Sequence, residues 1–234
     1  METLCAALGA GLDVRAGVRV ARIARAARGT AVRIESGDGI DLGAFDRVAV
    51  TAPAPRSAEL LADGEPDLAE RAGRVLYAPC WTALAAWDER LALDFDWHRE
   101  AAGATPVAWA CRESAKPGRE PGERWTVQAG PLWSRARLGD DGDVVARDLV
   151  AALGLLGHEP LPPPALLLAH RWRFAQCVEP LREPCLVSED LRIGAAGDWC
   201  APPPAPGDPG ALQEGLGVPA ALHAGRALAR ALIV

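Results

Sequence analysis

Gly197 and Asp198 close the short apolar run Ile193-Gly194-Ala195-Ala196. A glycine at the end of a strand lets a ligand come close to the backbone, and the aspartate after it can accept hydrogen bonds from sugar hydroxyls. Further on, Val218 and Pro219 open a helical pattern in which Ala220, Ala221, Ala224 and Gly225 keep one surface small. A flat ring or a phosphate could approach such a helix at its N-terminal amides, which favour negative charge. Pro219 suits a first turn because it lacks an amide that would be free there. The same residues serve as an ordinary turn and a close helix–sheet contact, so both readings stay open.

Five tryptophans, Trp81, Trp125, Trp133, Trp172 and Trp199, stand out in a chain with three Phe and one Tyr. Aromatic walls suit a planar substrate, and the same rings also fill cores. In His170-Arg171-Trp172-Arg173 the period of a strand sends His170 and Trp172 to one face and the two arginines to the other. That pairing gives either a titratable, anion-binding surface or a hydrogen-bonded histidine above solvated arginines. Lys116, the single lysine, sits in a loop from which it could reach a flavin or a phosphate, or simply solvent. His98, His158, His170 and His223 have no metal-ligand spacing, Ser57, Ser134 and Ser188 lie in no nucleophile elbow, and no glycine run ends in Gly-Lys-Ser/Thr.

Elements must hold these groups in place. Residues 4–8 read as a helix that stops at Gly9 and Gly11. Short extended pieces follow at 13–14, 19–23, 31–35, 40–42 and 47–51. Ser36-Gly37-Asp38-Gly39 makes 30–42 a hairpin. Val48-Ala49-Val50 lacks alternation and is expected to be a parallel strand covered on both faces, followed at 56–61 by a helix. The aromatic stretch 75–93 with 107–111 and 125–129 suggests an antiparallel sheet. Residues 143–156 form a helix with Val144, Val145, Leu149, Ala152 and Leu153 on one side, and 166–174 a strand. The proline-rich stretch 201–210 is expected to be a surface loop.

A chain of 234 residues holds one large or two small domains, and its net charge of −6 leaves no basic stripe for nucleic acid or an acidic membrane. No apolar run is long enough to span a bilayer, because Arg226 and Arg230 interrupt the last helix. The six dispersed cysteines read as reduced thiols, and the N-terminus does not read as a signal peptide, so a cytoplasmic location is expected.

In order, Leu4 to Val14, Phe45 to Pro53, Tyr77-Ala78-Pro79-Cys80-Trp81, Ser114-Ala115-Lys116-Pro117-Gly118-Arg119, Trp133-Ser134, His170-Arg171-Trp172-Arg173 and Ala196-Gly197-Asp198-Trp199-Cys200 resemble the later portion of bacterial renalase-like proteins. These are NAD(P)/FAD-dependent oxidoreductases related to the flavin amine oxidases. The resemblance implies an α/β fold with α+β elements. A truncated FAD/NAD(P)-binding Rossmann-like domain (1–55 and 185–234) would carry an inserted, mostly antiparallel substrate domain (56–184). It implies that Val20 lies near the adenine, that Thr51, Ala52 and Pro53 pass the dinucleotide, and that Gly197 and Asp198 touch the pyrophosphate and ribityl region. Val218, Ala220 and Ala221 would approach the flavin, and Trp81, His170 and Trp172 would belong to the substrate side. The reaction implied is hydride transfer from a reduced nicotinamide, such as NAD(P)H, or from an amine, to flavin, with reoxidation by dioxygen; no acid or base is implied.

Relative to that family, the Gly-x-Gly-x-x-Gly segment is absent, 201–217 reads as an insertion, and Pro219 replaces a usual glutamate. Weak FAD retention is therefore expected, with a small-molecule substrate, no metal, and self-association through an incomplete nucleotide-binding layer. The alternative is a non-catalytic, truncated or degenerate member that does not hold FAD stably.

Overall fold

The computed structural model describes residues 2–26, 30–100, 105–201 and 217–233. The chain forms two compact units, one of residues 1–75 with 180–234 and the other of 76–179. Against the expected boundaries at 55/56 and 184/185, the first unit also takes in residues 56–75, which carry two helices, and residues 180–184.

The first unit opens with α1 (Glu2–Leu8) and a three-stranded antiparallel sheet of β1 (Val20–Arg25), β2 (Val32–Ser36) and β3 (Asp41–Phe45). The β2–β3 turn is closed by the Ser36 amide, which donates to Ile40 O at 2.9 Å, and by Gly39, whose φ of +81° favours glycine. Residues 13–14 are not a strand: they precede β1 without a pairing partner. β4 (Val48–Val50) runs parallel to β11 (Ile193–Ala195), with β10 (Leu186–Val187) antiparallel on the far side of β11. Val48 and Val50 are buried but Ala49 is exposed, so β4 is packed on one face, not two.

Two short helices, α2 (Ala54–Leu61) and α3 (Pro66–Gly73), each start on a proline turn, where a missing amide costs nothing. Arg25 draws the β10–β11 turn and the α2–α3 connection together by pairing with both Asp190 and Glu65. The final helix, α6 (Val218–Ile233), buries Ala220, Ala224, Leu228 and Leu232. Their spacing of four puts them on one stripe. Residues 202–216, which include most of the proline-rich stretch, lie outside the described residues.

The second unit is built on a five-stranded antiparallel sheet. Its strands are β5 (Leu76–Trp87), β6 (Trp97–Arg99), β7 (Val107–Arg112), β8 (Glu123–Ala129) and β9 (Leu166–Glu179). They lie in the order β6-β7-β8-β5-β9. A short helix, α4 (Pro131–Ala136), leads to α5 (Gly142–Leu156). The Asp141 carboxylate caps α5 by accepting from the amides of Asp143 at 2.8 Å and Val144 at 3.3 Å.

One face of this sheet packs under α5. Trp81, Ala83, Trp87 and Trp125 from the strands meet Val145, Leu149 and Leu153 from the helix. Each fully buried leucine here contributes roughly 1.5–3 kcal/mol. Val144, expected on the apolar side of α5, is exposed: it lies one position ahead of the buried stripe, which starts at Val145. A buried ion pair closes the β7–β8 end, where Arg112 Nε donates to Glu123 Oε1 at 3.2 Å and the Trp125 indole donates to the same oxygen at 2.8 Å. The other sheet face is open among the described residues of this unit, with Leu84, Leu168, Trp172 and Phe174 all exposed.

Candidate cofactor and substrate sites

In the first unit, β4 and β11 are parallel, so the turns that follow them, 51–53 and 197–198, leave the sheet at the same end. Ligands of open α/β sheets bind outside the carboxyl ends of such strands. The two turns are tied directly. The Ala196 amide donates to Val50 O at 3.0 Å, and the Trp199 indole N–H donates to Ala52 O at 3.2 Å. Ala52 O also accepts from the fully buried Ser57 hydroxyl at 2.9 Å. This carbonyl is thus occupied, while Thr51 and Pro53 stay exposed and Gly197 and Asp198 half-buried.

Packing explains both glycines of the β11 strand and turn. A methyl at Gly194 would lie 2.4 Å from Leu228 Cδ1 and 2.8 Å from Leu186 O, so this glycine lets α6 sit against the sheet. A methyl at Gly197 would lie 2.3 Å from Trp199 Nε1. The backbone at Gly197 is extended (φ −176°), so the side chain of Trp199, not backbone strain, demands glycine there. Ala220 is buried in the α6 contact, Val218 is half-buried and Ala221 is exposed. Val20 opens β1, and its carbonyl accepts from the Arg56 guanidinium at 2.7 Å.

As a donor set, Thr51, Asp198 and the first turn of α6 fit the hydroxyl-rich part of a dinucleotide such as FAD. Asp198 would take a sugar or ribityl hydroxyl, and Val218 and Ala221 offer a small surface beside it. Around Gly197 itself the space on the Cβ side is filled by the indole.

In the second unit the structure brings His170 and Trp172 together and sets Trp81 apart. The two rings of His170 and Trp172 meet edge to face, with centroids 4.2 Å apart, on the open side of the sheet. Trp81 points to the other side, 4% exposed, where its backbone amide donates to Ser134 Oγ at 3.0 Å and its indole to Arg137 O at 3.0 Å. Arg171 lies over the Trp81 ring, 5.5 Å from its centroid. Of the other tryptophans proposed as a wall, Trp125 and Trp199 are each 1% exposed, and Trp133 packs at the core edge under Arg137.

Strand pairing sets His170 beside four residues that the linear pattern did not single out. Arg99, Trp109, Gln128, Thr82 and His170 are successive register partners across β6, β7, β8, β5 and β9. The next row carries Cys80 opposite Trp172. A depression of about 590 Å³ beside them is lined by Cys80, Gln128, Trp172 and Phe174. Lys116 reaches this face from the β7–β8 connection, with Nζ 5.6 Å from the Trp109 ring and 2.6 Å from Glu113 Oε1. The Thr126 hydroxyl donates to the same Glu113 oxygen at 2.7 Å. Burial alone would raise the Glu113 carboxyl, but these two hydrogen bonds and the Lys116 charge outweigh it and hold it below its ordinary value.

Four of the thiols are not poised for nucleophilic work. Burial raises Cys80, Cys111 and Cys185 above the ordinary thiol value, and Cys200 to about 12. Cys5, Cys80, Cys111, Cys185 and Cys200 are free thiols. Among the described residues no cluster of three or more His, Cys, Asp or Glu could hold a metal ion, and no helix is long and apolar enough to cross a membrane.

One unit thus carries a parallel strand pair whose following turns leave the sheet at the same end, and the other an antiparallel sheet with an exposed aromatic face. Comparison with known proteins gives the family. The model of the flavin-containing amine oxidoreductases matches residues 1–233, and the chain belongs to that family. The mixed α/β fold is shared with a crystal structure from Exiguobacterium sp. 255-15, provisionally designated a protoporphyrinogen oxidase, at a TM-score of 0.68 and 14% identity. The match covers 98% of this chain and 50% of the other, so the chain spans about half the length of that protein. Members of the family typically bind FAD.

Proposed function

We propose that the chain is part of a cytoplasmic FAD-dependent oxidoreductase of renalase-like type that oxidises a small molecule, a reduced nicotinamide-like or amine donor. The observation that carries this reading is the side-by-side placement of the 51–53 and 197–198 turns at the carboxyl ends of β4 and β11, in a chain of the flavin-containing amine oxidoreductase family. When bound, FAD supplies the two-electron redox chemistry, with dioxygen as final acceptor. The protein's own part is placement. Asp198 accepts a hydroxyl, Thr51 and Pro53 border the dinucleotide, and α6 directs its N-terminal amides towards negative charge. On the second unit, His170 and Trp172 present the substrate surface. The free thiols of Cys5, Cys80, Cys111, Cys185 and Cys200 agree with a reducing compartment, and the acidic net charge speaks against a nucleic-acid partner.

The test is flavin retention. The purified chain, incubated with FAD and dialysed, should keep a weak, substoichiometric flavin absorbance that Asp198→Ala reduces. Equal retention by the wild type and Asp198→Ala, or none by either, would refute the placement.

One observation favours a second reading, a family member that does not hold FAD stably. The Trp199 indole occupies the space beside Gly197. On this reading the wild type releases its flavin and Trp199→Phe, with a smaller ring, retains more.

A further inference from the structure

The open face of the second unit carries an arrangement of charge and ring that selects a ligand class. We propose that the row Arg99–Trp109–Gln128–Thr82–His170, with Trp172 beside it, binds a planar aromatic molecule bearing an acidic group, and discriminates against an ammonium. This deepens the proposed function by choosing between the two donor classes, and rests on that reading only for its link to catalysis.

Three observations carry the inference. The first is shape. From Trp109 on β7 to His170 on β9 the row crosses three strand spacings, about 14 Å at the usual separation, enough for two fused rings and a substituent. The depression lined by Cys80, Gln128, Trp172 and Phe174 meets the row at Gln128 and extends to its Cys80–Trp172 side, and half of Trp172 is open to a ligand.

The second is charge. No row residue is a carboxylate, whereas Arg99 is exposed at one end and Lys116 stands above Trp109. Glu113, the acid held beside this row, already serves Lys116 and Thr126 and stays ionised because they hold its pKa down. A ligand ammonium would meet a carboxylate whose charge is already paired with Lys116.

The third is the state of the aromatic rings. A tryptophan face attracts cations, but the Trp109 face is already occupied by the chain's own Lys116 ammonium. The Trp172 ring is met by His170. A second cation would find the Trp109 face taken, while a carboxylate or phosphate would be drawn towards the exposed Arg99. In the middle of the row Thr82, 5% exposed, forms the floor, while the half-buried Gln128 amide offers both a donor and an acceptor to ring nitrogens or carbonyls without further charge.

The test is a calorimetric titration of the full chain, stripped of flavin, with 2-naphthoate and with 2-naphthylmethylammonium, which share a ring and differ in the sign of charge. The acid should bind at least about tenfold more tightly than the ammonium. Arg99→Glu should remove that preference, and Trp172→Leu should weaken the acid about tenfold. Arg99 and Trp172 are exposed, and unchanged circular dichroism will show that the variants fold. Equal or tighter binding of the ammonium, no binding of the acid, or an affinity for the acid unchanged in both variants would overturn the proposal. Because flavin is absent from this titration, its failure leaves the cofactor reading untouched, and failed FAD retention leaves this one untouched.

Discussion

Replacing Gly197 by alanine tests whether the turn after β11 is shaped by Trp199. The added methyl would stand 2.3 Å from the indole Nε1 and 2.5 Å from Cδ1, far inside van der Waals contact, while the backbone there accepts any residue. The indole must therefore move. Trp199 is 1% exposed and donates to Ala52 O at 3.2 Å. Overpacking a filled site costs about 1–3 kcal/mol, and leaving a buried indole N–H without its acceptor adds about 1–3 kcal/mol. The sum, roughly 2–6 kcal/mol, lowers the melting temperature of a chain this long by about 4–24 °C.

Gly225 provides the opposite sign. It lies within α6, and a methyl added there would meet nothing within 4 Å, so Gly225→Ala should stabilise by about 0.5–1 kcal/mol through helix propensity. Urea unfolding followed by tryptophan fluorescence measures both, with hydrogen exchange of the β4 and β11 amides assigning the change to the first unit. Trp199→Phe should recover part of the Gly197→Ala loss. A Gly197→Ala protein within about 0.5 kcal/mol of wild type would refute the packing argument, since that is the range of substitutions that disturb nothing.

Glu123→Ala should destabilise the second unit by about 3–5 kcal/mol, because it leaves the buried Arg112 guanidinium and the Trp125 indole short of an acceptor; chemical denaturation checks this. The Arg25 guanidinium, against the opposing effect of burial, holds Asp190 well below its ordinary pKa. A carboxyl depressed in the folded state stabilises above its unfolded pKa, about 3.9, and that stability is lost as pH falls from there towards the folded value. Melting temperatures should therefore drop below about pH 4, and less steeply in Asp190→Asn. Brief alkylation with iodoacetamide at neutral pH, read by peptide mass, should modify exposed Cys5 first and leave Cys200, at about 12, unmodified until the protein unfolds.

Local chemistry that the chain carries in adjacent residues was legible in the sequence. Ser36-Gly37-Asp38-Gly39 makes its hairpin because the turn is closed by its own backbone and side chains. The four-residue spacing of Ala220, Ala224, Leu228 and Leu232 defines a helix stripe, and strand alternation placed His170 with Trp172. What tertiary structure decided was the use of each residue. Glycine at 194 and 197 and aspartate at 198 look like a ligand turn when read along the chain. Only the fold shows that Leu228, 34 residues away, fills the space beside Gly194, and that the Trp199 indole reaches Ala52 O.

The same holds for Trp81. Its type suits a substrate wall or a core, and the choice was made by pairing with β9 and packing beneath α5. The row from Arg99 to His170 is drawn from five strands in the order β6-β7-β8-β5-β9, and strand order is a property of the sheet, not of any segment. Sequence determines what each segment can be, because turns and periodicity act over a few residues; the fold determines what the segments do together, because register and packing join residues that the chain keeps far apart.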